Sequence, residues 1–350
     1  MARQKTTIND IARALNITAS TVSRALNDHS SISEATRRAV LEKAKDLHYK
    51  PNQLAAALRS GRSHTVGVVV SAADRSFFGK VIRGIEDEVA PAGYSVIVTQ
   101  THDEYEREKQ VLETLIRSQV DGVIASLGKY SPSHDHYRRL VERGMPLVLF
   151  DNTDDELGVG QVVVDDFEGA YLAVKHLLDQ GCRRIAHFAG PQHLPIYSER
   201  LRGYRTALSD HNLPFDIELV VDCPSEVSSG IESIKKLWGL PQRPDALFSS
   251  SDYAALGAMK WLKEQGVKLP DELCLVGFSN EPFTSFLDPP LSTVDQHSRR
   301  MGRRAARLLL AEIKAAEPQP KKAMLKPELI IRASSRLKNR KKPASITTVS

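Results

Sequence analysis

The sequence predicts an α + α/β fold, with a small helical unit at the N-terminus followed by two α/β subdomains. Residues 7–26 show the cap residues and apolar spacing of two short helices joined by a tight turn. From His64 onward, short apolar runs alternate with amphipathic stretches, which is typical of parallel sheets covered by helices on both faces. About ten such runs are too many for one compact sheet, so two subdomains are expected.

The first two predicted helices have the layout of a helix-turn-helix. Thr7 can cap the first helix and Asp10 can complete a capping box, while Asn16 tolerates the left-handed backbone that ends such a helix. Thr18 can cap the second helix, whose outward positions are small, polar or cationic: Ala19, Ser20, Thr21, Ser23 and Arg24. This layout is typical of DNA-binding units, although an ordinary helical hairpin would carry the same caps.

A third helix and a short fourth one are predicted next. Ser31 and Ser33 offer hydroxyl caps before Glu34. Val40, Ala44 and Leu47 mark the inner face of a helix that closes a three-helix unit. The segment 51–61 favours helix but is very short, so it should form only when something docks against it.

The remaining chain alternates between strands and helices. Strands are predicted at 66–70, 95–98, 122–125, 146–150, 162–164, 184–188, 219–221, 246–248, 273–278 and 329–331. Helices are predicted at 79–90, 106–118, 166–180, 199–211, 227–237, 254–265 and 299–315, with His134 and His136 in a loop. Ligands of such folds bind beyond the carboxyl ends of the strands, which here places the site in a cleft between the subdomains.

Positive charge is concentrated at the two ends of the chain. Residues 1–64 contain 11 Lys and Arg against 5 Asp and Glu, and residues 321–350 contain 9 against 1. The middle, 65–320, contains 28 against 37. This distribution indicates that an end meets a polyanion such as DNA, whereas the basic run 338–342 is interpreted as a solvated, disordered tail.

Several functional classes are disfavoured by the sequence. It has no apolar run of 18 residues and no apolar signal core, so a cytoplasmic protein is expected. Cys182, Cys223 and Cys274 lack metal-ligand spacing and are interpreted as reduced, buried thiols. No glycine-rich phosphate loop, nucleophile elbow or metal-ligand pattern is found, so no enzyme activity, cofactor or metal is expected.

The chain resembles the lactose- and galactose-repressor family of bacterial transcription factors over nearly its whole length. The matching stretches near the N-terminus are TINDIA at 7–12, TVSRALN at 21–27 and YKPN at 49–52. Further matches, in the same order as in the family, are FEG at 167–169, RLRGY at 200–204, SDYAALGAM at 251–259, VGF at 276–278 and PPLSTV at 289–294.

The resemblance implies a DNA-binding headpiece, a hinge helix and a core like the periplasmic sugar-binding proteins. It places the headpiece at 1–50, the hinge and linker at 51–63, and the effector-binding core at 64–337. Subdomain one is expected at about 64–163 and 296–322, and subdomain two at about 164–295 and 323–337.

The resemblance also implies which residues contact DNA. Base-reading positions match Ala19, Ser20 and Arg24, of which Arg24 is the best candidate because its planar fork can pair with guanine through two hydrogen bonds. Phosphate-contacting positions match Thr18, Thr21, Ser23 and Asn27. In the hinge, Leu58 matches the residue wedged into the minor groove, with Asn52 and Ala55 before it; packing of Leu58 against the headpiece is the alternative.

The effector cleft of the family is lined by residues that match Phe77, Phe78, Asp165, Arg200, Asp252, Ser279 and Gln296. Arg200 is the strongest of these, whereas Asp165 and Asp252 could instead be helix or strand-end caps and the Phe pair plain core. The sequence departs from the common pattern at Ser279, where many relatives carry Asp. A sugar or other small polyol is the first expectation for the effector, and the hydroxyls of 249–251 would suit it.

The predicted function is therefore a sequence-specific DNA-binding transcriptional regulator, in the first place a repressor. Effector binding would change the angle between the subdomains and so the operator affinity of a homodimer on palindromic double-stranded DNA. A cytoplasmic solute-binding protein without DNA regulation is the alternative, and an enzyme acting on a bound sugar is a third.

Overall fold

The computed structural model describes residues 6–49, 62–315 and 319–337, which fall into two compact units divided after Ser63. The first unit holds three helices, α1 (Ile8–Leu15), α2 (Ala19–Leu26) and α3 (Glu34–Asp46). Their inner faces form a small apolar core of Ile11, Ala12, Val22, Ala25, Val40 and Ala44. The three predicted headpiece helices are confirmed.

The helix ends in this unit are fixed by the predicted cap residues. Asp10 accepts hydrogen bonds from both the backbone N–H and the hydroxyl of Thr7, each at 2.8 Å, and these bonds lower the pKa of Asp10. Asn16 ends α1 in the left-handed conformation at φ 51°. The Thr18 hydroxyl accepts from the backbone N–H of Thr21 at 3.2 Å and so begins α2. The short turn between α1 and α2 follows from these caps.

Two predicted segments lie outside the described residues. They are most of the hinge, with Asn52, Ala55 and Leu58, and the basic tail 338–350.

The second unit alternates strands and helices from His64 onward. Its strands are β1 (Thr65–Val70), β2 (Ser95–Gln100), β3 (Gly122–Ala125), β4 (Leu147–Phe150), β5 (Gly160–Val164), β6 (Ile185–Ala189), β7 (Val220–Asp222), β8 (Ala246–Ser249), β9 (Cys274–Phe278), β10 (Ser292–Asp295), β11 (Lys322–Leu325) and β12 (Glu328–Ile330). Its helices are α4 (Ser76–Val89), α5 (Tyr105–Arg117), α6 (Asp135–Glu142), α7 (Asp166–Asp179), α8 (Pro195–Asp210), α9 (Val227–Trp238), α10 (Asp252–Glu264) and α11 (Ser298–Lys314). Short 3-10 turns occur at Asp155–Leu157, Ile217–Leu219, Pro282–Ser285 and Ala333–Ser335.

The strands form two six-stranded sheets, one for each subdomain. The first has the order β11-β5-β4-β3-β1-β2 and is parallel throughout. The second has the order β12-β10-β9-β8-β6-β7 and is parallel except that β12 runs antiparallel to β10. The apolar strands are buried because helices cover both faces, which matches the predicted class.

The chain crosses between the subdomains three times. The first crossing follows β5, the second lies between β10 and α11, and the third lies between β11 and β12. The backbone N–H of Asp165 donates to the carbonyl of Leu325 at 2.9 Å, so the first and third crossings run side by side.

Helices on each sheet approach one another at glycines. A Cβ atom added to Gly302 of α11 would lie 2.0 Å from the carbonyl oxygen of Val81 in α4. A Cβ atom on Gly84 would lie 2.1 Å from the Arg299 carbonyl oxygen. The two helices therefore pack backbone against backbone, and a side chain would force them apart.

The structure corrects the sequence-based assignments in three places. The subdomain boundary expected at about residue 322 lies a few residues later, because β11 pairs with β5 of the first sheet through Leu325. Strands β10 and β11 were not predicted, and neither was α6, which contains His136. The three cysteines are buried thiols, as expected. Within the described ranges, none of the helices is long and apolar enough to cross a membrane.

Candidate functional site

The outer side of α2 carries the predicted DNA-contacting residues of the headpiece. Its buried Val22 and Ala25 fix the helix against α1 and α3, which leaves Arg24 exposed in the last turn. The α2 helix and its ends bring together all seven predicted residues that lie in the headpiece: Thr18, Ala19, Ser20, Thr21, Ser23, Arg24 and Asn27.

Hydrogen bonds order the hydroxyls at the beginning of this helix. The Thr18 hydroxyl lies 2.7 Å from that of Ser20 and 2.9 Å from that of Thr21. At the other end, the Asn27 side-chain amide donates to the carbonyl of Ser23 at 2.7 Å. A helix N-terminus with exposed hydroxyls is suited to phosphate contact, and an exposed Arg is suited to a base edge.

A second candidate site is a cavity of about 140 Å³ in the core unit. Its lining comes from loops that follow the carboxyl ends of strands in both sheets, with Ser71 after β1, Asp151 after β4, Ser250 after β8 and Gln296 after β10. Sites for drug-sized ligands have volumes of roughly 300–1,000 Å³, so this cavity fits a smaller molecule.

Aromatic rings form one wall of the cavity at the beginning of α4. Phe77 and Phe78 are both 8% exposed, and their rings meet edge to face with centroids 5.1 Å apart. The Tyr197 and Tyr253 side chains line the cavity from the other subdomain. Flat apolar rings around a small cavity favour a ligand with a ring or another apolar face.

Arg200 is the buried cation of the cavity. Its Nε and one terminal nitrogen each lie 2.7 Å from Oδ1 of Asp166, and the other terminal nitrogen donates to the Ser250 carbonyl at 2.8 Å. The guanidinium also stacks on the Phe278 ring at 3.7 Å. Burial raises the pKa of Asp166 to about 7, and the charge of Arg200 opposes this rise. These contacts hold the guanidinium in one orientation.

Lys129, from the first subdomain, is another cation in the lining of the cavity. The Lys129 Nζ lies 3.8 Å from Oδ2 of Asp103. Burial disfavours the charged form of Lys129, but neighbouring Tyr197, Asp103 and Asp151 raise its pKa above the usual value. Burial raises the pKa of Asp151, while Arg200 and Lys129 act to lower it. Lys129 is therefore a cation whose charge is already balanced.

Five of the seven predicted effector residues line the cavity: Phe77, Phe78, Arg200, Ser279 and Gln296. The two exceptions, Asp165 and Asp252, have the alternative structural roles expected for them. The Asp165 carboxylate accepts from the Glu168 N–H at 2.9 Å and caps α7.

Asp252 is fully buried. It accepts from the hydroxyl of Thr293 at 2.7 Å and from the N–H of Glu281 at 2.9 Å, and burial raises its pKa to about 7. It holds β10 and the loop after β9 together and is not among the lining residues.

Sequence reasoning missed several polar residues of the lining: Ser71, Arg75, Asp103, Lys129, Asp151, Ser225 and Glu281. Most of them lie within a few residues of the carboxyl end of a predicted strand, which is the signal that could have identified them. Among the described residues, no group of three or more His, Cys, Asp or Glu side chains could hold a metal ion.

Two family models match this chain. A model described as "Bacterial regulatory proteins, lacI family" matches residues 7–52, and one described as "Periplasmic binding protein-like domain" matches residues 174–335. The "HTH-type transcriptional repressor CytR" of Escherichia coli is 34% identical over 94% of this chain and 96% of its own length.

Solved structures show the same fold. The "transcriptional regulator CelR-cellobiose complex" is 29% identical, with a TM-score of 0.72 over 94% of this chain and 100% of that one. The Lac repressor dimer bound to operator and an anti-inducer has a TM-score of 0.84 at 24% identity, over 95% of this chain and 99% of that one.

These matches cover the helical headpiece and the two-sheet core that carry the two candidate sites, and they establish the chain's relationship. The chain belongs to the lacI family of bacterial regulatory proteins: it is a DNA-binding transcriptional repressor with a periplasmic-binding-protein-like effector core, and it is not an enzyme.

Proposed function

We propose that this repressor acts as a cytoplasmic homodimer that binds a palindromic operator. A small polyol in the core cavity either lowers or raises its affinity for that operator. The cavity at the carboxyl ends of both sheets carries this proposal, because a ligand there would touch both subdomains at once. A two-fold dimer would present two copies of α2 to two half-sites about one helical turn apart.

The proposed base contact is Arg24, with Ala19 and Ser20 beside it, and the hydroxyls of Thr18, Thr21 and Ser23 with the Asn27 amide bind phosphates. Asn52, Ala55 and Leu58 of the hinge remain proposed contacts to the minor groove.

A sugar or similar polyol is the proposed effector because the cavity combines aromatic walls with many hydroxyl and carboxylate groups. The related CelR structure is described as a complex with cellobiose, which supports the same class. The proposed contacts are Phe77, Phe78, Arg200, Ser279 and Gln296, joined by Asp151 and Lys129.

Direct contacts across the cavity provide a route from effector to subdomain angle. Arg75 of the first subdomain donates to the Ser225 carbonyl at 3.0 Å and lies over the Tyr253 ring at 4.1 Å. The Lys80 ammonium donates to the Asn280 carbonyl at 3.1 Å. A ligand that favours or breaks these contacts would shift the angle and, through linkage, the operator affinity.

The first experiment is selection of bound sequences from a random DNA pool by the full-length protein at a stated salt concentration. We expect a palindrome with two half-sites, and the selected site then serves as the probe for effector screening by fluorescence anisotropy. Enrichment of a single, non-repeated half-site would contradict the dimer. No enriched motif with or without pooled sugars would overturn the operator assignment and favour the solute-binding alternative.

A further inference from the structure

The cavity contains three buried oxygen atoms without hydrogen-bond partners among the described residues: Oγ of Ser250, Oε2 of Glu281 and Oε1 of Gln296. The three side chains belong to residues that are 4%, 4% and 3% exposed. They follow β8, β9 and β10, which are neighbours in the second sheet, and we call them the acceptor row. The Glu281 and Gln296 oxygens can only accept hydrogen bonds, whereas the Ser250 hydroxyl can accept or donate. Buried polar atoms are normally paired, so this row indicates that the ligand itself supplies donors.

Glu281 is the charged member of this row, and its backbone is fixed. Its N–H donates to Asp252 at 2.9 Å, and its carbonyl accepts from the hydroxyl of Thr284 at 2.6 Å. Burial raises the pKa of Glu281, while the nearby cations Lys80 and Arg75 and hydrogen bonding from Ser76 and the Phe77 N–H act to lower it. The carboxylate thus lies against the first turn of α4, in the opposite subdomain.

The cations of the cavity are already engaged. Arg200 is bound to Asp166 and to the Ser250 carbonyl, and Arg75 to the Ser225 carbonyl and the Tyr253 ring. The charge of Lys129 is balanced by Asp103 and Asp151. Every cation of the lining is therefore already engaged and is not available to pair with an anionic ligand. The anionic group of such a ligand has no hydrogen to donate to the row, and it would be repelled by the carboxylate of Glu281.

We propose that Glu281 is the specificity-determining acceptor of the effector site, and that the effector is an uncharged polyol whose hydroxyls donate to the row of Ser250, Glu281 and Gln296. Sugar acids and sugar phosphates bind more weakly, because their anionic groups would face the carboxylate of Glu281. The loop after β9 thus offers a carboxylate at Glu281, two residues after Ser279. This inference rests on the proposed polyol effector. It adds that the effector is uncharged and that Glu281 is the residue that recognises it.

The test uses the full-length protein and a panel of uncharged mono- and disaccharides, each paired with its aldonic or uronic acid or its phosphate. We expect thermal stabilisation by at least one uncharged sugar and a clear preference, at least tenfold in affinity by calorimetry, over its acid partner. Stabilisation by the acids or phosphates only, or by no sugar of the panel, would overturn the inference.

The variants separate recognition from structural support. Glu281→Gln replaces an acceptor-only carboxylate with an amide, so we expect the affinity for the uncharged sugar to fall at least tenfold. Its preference over the acid partner should fall as well, which a merely structural loss would leave unchanged. Glu281→Asp keeps the carboxylate and should retain the preference. Glu264→Gln, at the exposed end of α10, is the matched control and should behave as wild type.

Operator binding, measured with the same protein preparations, distinguishes failure of the Glu281 assignment from failure of the proposed repressor function. If wild type binds a selected operator and Glu281→Gln retains full sugar selectivity, the assignment of Glu281 is wrong while the repressor function stands. If the sugar preference follows Glu281 but no DNA is bound, the acceptor row stands and the operator assignment fails.

Discussion

At the scale of single residues, base recognition is expected to depend most on Arg24, which is exposed on α2 between two buried apolar positions of the same helix. Arg24→Ala should weaken binding by about 1–3 kcal/mol at one base position of each half-site and relax the preference there. Competition binding with single-base operator variants measures this. Arg24→Lys is the comparison variant: it keeps the positive charge but lacks the planar fork that pairs with a base. An unchanged preference at every base in Arg24→Ala would contradict the assignment.

A second residue-scale prediction concerns pH. Burial raises the pKa of Glu312 in α11 to about 7. As pH rises from about 4.5 to 7, the unfolded chain loses this proton before the folded chain does, so the folded state loses stability over that range and stays at the lower level above it. Glu312→Gln removes this loss. Its Tm should exceed that of wild type by about 2–4 °C at pH 8 for each kcal/mol gained.

The same comparison at about pH 4 should show almost no difference, because both forms of the chain then hold the proton. Glu113→Gln, on the exposed face of α5, is the control and should leave Tm unchanged at both pH values. A stabilisation by Glu312→Gln that is equal at pH 4 and pH 8 would show that charge is not the cause.

The residues of the cavity show where sequence reasoning ends. Phe77, Phe78, Arg200, Ser279 and Gln296 were predicted from the family resemblance, and the structure brings them into one cavity. Lys129 and Glu281 come from loops after β3 and β9, and only the strand order of two separate sheets brings them together. Asp166 pairs with Arg200, but the sequence predicted it only as the first residue of a helix. Asp165 and Asp166 are adjacent acidic residues, and a shift of one residue in the helix start decides which of the two carboxylates turns inward.

At the scale of elements, the close crossing of α4 and α11 gives a further prediction. Gly302→Ala would place a Cβ atom 2.0 Å from the Val81 carbonyl, so the two backbones must separate. Overpacking of this kind typically costs about 1–3 kcal/mol, which corresponds to a fall in Tm of roughly 2–12 °C.

Gly79→Ala is the matched control, because it lies in the same α4 helix with no atom within 4 Å of an added Cβ. It should raise Tm slightly, since alanine costs less helix entropy than glycine. Differential scanning calorimetry of both variants measures the contrast. Equal Tm values for the two would mean that the helices adjust without cost.

Elements with strong apolar periodicity were predicted well, and weak ones were missed. The strands β1, β3 and β8 agree with the predictions to within one residue because each is a continuous apolar run between polar turns. The β10 strand has only four residues, three of them polar or hydroxyl-bearing, and only Leu291 separates it from a Pro-Pro sequence. Its stability comes from pairing with β9 and β12, which no local pattern records.

At the scale of the whole molecule, the chain divides into two compact units after Ser63. A fragment starting at His64 contains both sheets, their helices and the complete cavity lining. We expect this fragment to bind the effector with an affinity within about threefold of the full chain, after correction for any linkage to DNA. It should show no specific operator binding in an electrophoretic mobility assay. Loss of effector binding with an intact melting transition would show that the cavity needs the headpiece.

The three crossings between the subdomains, of which the first and third run side by side, have a mechanical consequence. A single flexible connection would let one subdomain rotate about any axis relative to the other, whereas strands joined at Asp165 and Leu325 resist twisting and sliding. We therefore expect a change of the angle between the subdomains to be their easiest relative motion. A ligand of modest size then has little orientational freedom to suppress when it closes the cavity. If the effector acts on this angle, a larger share of its binding free energy remains to shift the equilibrium between the two states.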